Sequence, residues 1–134
     1  MAKWANATVL DGGSDYLRTL AGTTSRVKMH VIKAYSSGDS YATVTGNSCA
    51  AQDMVSGDFT QSGGAGATRT TTVAAKSGVS VTANSGASPN LHIALVDSVS
   101  SAVLLVTDET SDQQLYSGNQ FNFPSWTYAV VQPT

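Results

Sequence analysis

The sequence predicts an all-β fold, a β-sandwich or jelly-roll-like domain with one short peripheral helix near the N-terminus. Three observations predict it. Apolar and polar residues alternate at period two in short segments along most of the chain. Turn-forming clusters separate those segments: "SSGDS", "SGGAGA", "KSG", "NSGASPN", "DSVSS", "YSGN" and "FPSW". Charged residues make up only 12% of the chain, while 18 Ser, 16 Thr and 12 Gly supply a neutral polar cover suited to strands and turns. At 134 residues the chain fits one domain, with an N-terminal arm over 1–8 and a single β-rich domain over 9–134.

The first element is the helix. Leu17, Leu20 and Ala21 recur at helical spacing behind Asp11, whose carboxylate can cap the N–H groups of the next turn, so the spacing predicts a helix over 11–21 that Gly22 stops. A strand containing Thr8, Val9 and Leu10 precedes it. Gly12 and Gly13 weaken a helix interior, and close packing of the first turn on a sheet is their expected reason. A calcium loop counted from Asp11 would want oxygen ligands at its first, third and fifth positions, then Gly and a final Glu. Those positions hold Asp11, Gly13, Asp15, Tyr16 and Gly22, so the metal reading fails.

Strands follow. Val27, Met29 and Val31 alternate with Lys28 and His30, which places His30 on the opposite, more polar face. Residues 36–51 show weak periodicity and read as a variable loop without a firm element. Further strands are expected over 54–59, 68–75, 79–83, 91–97, 102–107, 120–123 and 126–131. Apolar runs flank "DSVSS", which predicts a central antiparallel hairpin with Ile93, Leu95, Leu104 and Val106 in its core. Alternation sends Phe121 and Phe123 to one face, in a core role.

The chemistry-bearing residues form no catalytic or metal-binding pattern. "GDSY" at 38–41 suggests a nucleophilic Ser40, but no G-x-S-x-G elbow accompanies it. His30, His92 and the single Cys49 lack any zinc-ligand spacing, and His92 is expected to pack at a sheet edge or an interface. "GGAGATR" at 63–69 has neither the lysine nor the helix of a phosphate loop. We therefore expect no enzyme activity, no cofactor and no metal. A net charge of −2 with scattered Lys and Arg argues against direct binding to nucleic acid. One cysteine allows no intrachain disulfide, and no apolar run reaches the roughly 20 residues that span a bilayer. The expectation is a chain made and kept soluble in a cytoplasm, with no membrane partner.

Four stretches, "LDGGSDYL", "HIALVD", "LLVT" and "SGNQFNFPSW", taken in this order and spacing, resemble a family of small virion proteins of tailed bacteriophages. The resemblance runs from about Val9 to Val131 and is weakest over 36–51. It implies a virion structural protein made in a host bacterial cytoplasm, and no catalytic residue carries over. The leading expectation is a capsid decoration, or cement, protein on the head surface. Its partner would be the major capsid protein, and it would assemble as a homo-oligomer, a trimer ahead of a dimer. The alternatives are a tail or head-to-tail connector component, and a receptor- or glycan-binding module; a cell-wall hydrolase ranks last. Trp4, Trp126 and Tyr128 are the candidate capsid or oligomer contacts.

Overall fold

A computed structural model describes residues 4–5, 7–63 and 69–130, with side chains from 13 onward, 14 excepted. The strands are β1 (Trp4–Ala5), β2 (Val27–Ile32), β3 (Ser48–Asp53), β4 (Phe59–Ser62), β5 (Arg69–Val73), β6 (Lys76–Ser80), β7 (His92–Asp97), β8 (Ala102–Asp108), β9 (Gln120–Phe123) and β10 (Trp126–Val130); β6 takes in the expected turn "KSG" and ends before 81–83. Two helices, α1 (Ala7–Ala21) and α2 (Tyr41–Gly46), accompany them. The strands form three antiparallel open sheets ordered β1-β8-β7-β2-β3, β10-β5-β4 and β6-β9. The fold is a sandwich-like, mostly β domain, in agreement with the sequence.

One apolar core joins the sheets. Val27, Met29 and Val31 of β2, with Ile93 and Leu95 of β7, meet Phe59, Val73, Val79, Phe121 and Phe123 of the two smaller sheets and Leu17 and Leu20 of α1. Phe121 and Phe123 meet edge to face with ring centroids 4.9 Å apart, an arrangement their quadrupoles favour. The reverse face of the large sheet carries a second cluster of Ile32, Ala94, Val96, Val103 and Val106, capped by Val44 of α2.

The hairpin predicted around "DSVSS" forms as β7–β8, and Ile93, Leu95, Leu104 and Val106 are all buried. They do not share one core. Leu95 pairs with Leu105 while Val96 pairs with Val103, so Leu104 is an extra residue in β8. This bulge sends the adjacent Leu104 and Leu105 to the main core and leaves Val103 and Val106 on the reverse face.

Three sequence expectations are corrected. Thr8, Val9 and Leu10 are helical, not a strand, because α1 begins at Ala7 and runs through a kink at Gly13, with φ 60° and ψ −148°. A β-carbon at Gly13 would meet nothing within 4 Å, so the glycine is there for its left-handed φ rather than for close packing. The strand expected over 54–59 is replaced by a tight 3-10 turn, Ser56–Asp58. The Asp58 carboxylate accepts from Val55 N at 2.8 Å and from Lys76 Nζ at 2.8 Å, and this holds the turn. Residues 36–51 are not a structureless loop; they contain α2 and the first four residues of β3, paired with β2. Six residues make fewer than two helical turns, too few for an apolar period to show.

Candidate interaction surface

The three-stranded sheet presents a face of short neutral side chains. Register places Thr60 beside Thr72 and Thr72 beside Thr127 in one row, and Ser62 beside Thr70 and Thr70 beside Ala129 in the next. Partners directly opposite point the same way. The alternate residues Phe59, Thr71, Val73, Trp126 and Tyr128 turn inward, with Arg69 and Gln61 bonded to each other at the end of that face, while the other side bears hydroxyls and no charge. Thr60, Ser62, Thr127 and Ala129 are exposed, and Thr70 and Thr72 on the middle strand are half-buried between their neighbours.

Trp126 and Tyr128 lie on the inner side of β10, half-buried against the main core. Their rings pack against protein instead of standing free on the surface. Trp126 Nε1 and Tyr128 OH are buried without a hydrogen-bond partner among the described residues. Burial pushes the Tyr128 phenol above its usual pKa, and Thr71 across the ladder offsets part of the rise. The backbone of Trp4 pairs with Val106 at the edge of the large sheet; its side chain, like the 64–68 stretch of "GGAGATR", lies outside the described residues.

Ser40 has a structural role. Its Oγ accepts from Thr43 N at 3.2 Å and caps α2. The Cys49 thiol is buried, and burial raises its pKa, with Lys33 partly opposing; a thiol so placed is a weak nucleophile. His92 is not at a sheet edge: it is buried on β7, the central strand of the large sheet, with Nε2 3.6 Å from Asp108 Oδ1 and its ring 5.6 Å from Tyr35. A groove of about 480 Å³ beside the end of α1 is lined by Gly22, Ser25, Asp53, Met54 and Val55, among others. Its carboxylate is already engaged by Lys28 and Ser25.

His30 does point away from Met29 and Val31, but the face it joins is not polar: the side chain is 7% exposed. Ser48 Oγ donates to Ala50 O at 3.3 Å, which leaves its lone pair for the Nδ1–H of His30 at 2.8 Å. Nε2 is then a buried acceptor with no partner among the described residues. Burial and then Lys28 lower the His30 pKa from 6.5 to about 4. The folded state therefore keeps a neutral ring where the unfolded chain takes up a proton, so its stability contribution is full above pH 6.5 and is lost as pH falls to about 4. Urea unfolding at stepped pH should show this slope in the native protein and a flatter one in His30→Gln. Identical slopes would contradict the burial.

Among the described residues no group of His, Cys, Asp and Glu is arranged to hold a metal ion, and no helix is long and apolar enough to cross a membrane. Compared with known proteins, the chain matches no family model, no curated sequence and no solved structure.

Proposed function

We propose that this chain is a non-enzymatic structural protein of a bacteriophage virion, a decoration protein that binds the outside of an assembled head and bridges neighbouring capsid subunits. The observation that carries the reading on the structural side is the uncharged face of Thr60, Ser62, Thr70, Thr72, Thr127 and Ala129. It complements the family resemblance seen in the sequence. Short, mostly β-branched side chains on a paired sheet have little rotamer freedom to lose on docking. Hydroxyl and methyl groups offer hydrogen bonds and apolar contact together, and a face without charge is not screened by salt. Many such contacts repeated over a symmetric shell would add up to firm attachment.

Mixing the purified protein with undecorated heads tests the reading. Saturable co-sedimentation that survives raised salt is expected, and Thr60→Glu/Thr72→Glu/Thr127→Glu should fold normally but bind about tenfold more weakly or worse, as desolvating three charges costs well over 1.4 kcal/mol. An intact protein that stays in the supernatant would overturn the decoration role. Counting copies in whole particles separates a head protein, present in large numbers, from a tail or connector component around one axis.

A further inference from the structure

We infer that the outer edge of β10 pairs in antiparallel fashion with β10 of a second copy of this chain, joining two three-stranded sheets across a two-fold axis. The inference stands apart from the capsid reading, and heads play no part in its test.

An edge strand displays unpaired N–H and C=O groups, and folded proteins normally block that display with charge, proline, a bulge, brevity or a covering segment. Three of the other edges are blocked, and the two strands of the β6–β9 sheet pair through a register shift between Lys76 and Val79. On β4, Arg18 Nε of α1 donates to Phe59 O at 2.7 Å. On β3, Thr82 N and Ala83 N donate to Cys49 O at 2.8 and 3.3 Å. β1 has only two residues. β10 has five residues in unbroken register with β5, and "WTYAV" contains no charge, no proline and no bulge. Among the described residues, no strand pairs with its outer side.

The side chains fit a copy of themselves. A two-fold axis through Tyr128, the middle of the strand, sets Trp126 opposite Val130 of the second copy, Thr127 opposite Ala129, and Tyr128 opposite Tyr128. An aromatic residue then faces a β-branched one on the inner side and small faces small on the outer, pairings that stabilise antiparallel ladders. No like charges meet. Two of the three buried polar atoms without a hydrogen-bond partner among the described residues, Trp126 Nε1 and Tyr128 OH, lie on this strand and on the same side of it; the third, His30 Nε2, is on β2. In this register Trp126 of one copy is diagonal to Tyr128 of the other, within the reach of aromatic side chains.

Sedimentation of the native protein over a range of concentrations should show a monomer–dimer equilibrium. Thr127→Lys/Ala129→Lys sets like charges opposite each other twice across the axis and should weaken the dimer about tenfold, roughly 1.4 kcal/mol in all. Both positions are exposed, and circular dichroism of the variant should match the native spectrum. An equimolar mixture of Thr127→Cys and Ala129→Cys should form a disulfide-linked dimer under mild oxidation, whereas each variant alone should not. Cys49 is fully buried and does not compete. A concentration-independent monomer, a trimer, or a dimer indifferent to the lysine substitutions would overturn the pairing, as would cysteine variants that link equally well alone.

Discussion

Leu95→Ala is expected to destabilise the protein by about 4 kcal/mol, in the upper half of the range for emptying a buried leucine site. Leu95 has no exposure, sits in β7 at the middle of the five-stranded sheet, and is flanked across the ladders by Met29 and Leu105. A site held on both sides by hydrogen-bonded strands cannot collapse to fill the space, so most of the cavity persists. Val99→Ala, at a turn position 66% exposed, is the control and should change little. Urea unfolding of both variants measures the difference. A loss below about 1 kcal/mol for Leu95→Ala would mean that the central strand is not packed as described.

The second large effect is expected at Asp97. Its side chain has no exposure and accepts from Arg26 Nε and Nη2, both at 2.9 Å, from Val99 N at 3.0 Å, and from the N–H and hydroxyl of Ser100. Burial alone would raise the carboxyl pKa, but Arg26 and the turn donors outweigh it and hold the group well below the usual carboxylate range. Removing one member of a buried pair costs roughly 3 to 5 kcal/mol. Asp97→Ala should lie near the lower end, because the Arg26 side chain is 26% exposed and can still reach water. The folded pKa lies below the unfolded one, so this stability is fully present above an unfolded pKa of about 3.9 and declines as pH falls below it. Native protein should therefore lose stability as pH falls from about 4 to about 2, while Asp97→Asn should lose less. A variant as stable as the native protein at neutral pH would show that the turn does not depend on this carboxylate.

Most of the sheet framework was legible because its strands are short segments rich in apolar and β-branched residues bounded by turn residues: β2, β7, β8, β9 and β10 lie where the sequence places them, although only β9 alternates cleanly between buried and exposed. The misreadings have physical causes. In β8 the apolar pair Leu104–Leu105 looks like a plain core run, and only the partner strand reveals the bulge that divides β8 between two cores. Residues 54–59 begin and end on buried apolar side chains, Met54 and Phe59, but these belong to the segments on either side of a turn. Gly12 and Gly13 signal a weakened helix, but the expected close packing is not the reason for Gly13; the kink it makes needs a backbone angle to recognise. The aromatic candidates Trp126 and Tyr128 could be placed on a strand, yet their inward side is decided by β5, which supplies Thr71 and Val73 on the same face. The neutral Thr rows could not be read in advance, since they arise from three strands that are distant in sequence.

The strand order also bears on how the chain folds as it is made. β2 waits for β7, β6 for β9, β5 for β10 and β1 for β8, so each sheet is completed by a strand from the last third of the chain. A ribosome-bound chain that has emerged as far as Ser80 can form the β2–β3 and β4–β5 hairpins, but the other side of β2, where β7 pairs, has no strand to close it. At roughly 5 to 20 residues per second, that apolar strand stays open for several seconds before β7 and β8 arrive. Translation speed and chaperone access over this interval therefore bear directly on yield, and a chain cut short before β7 is a seed for aggregation rather than a smaller version of the fold.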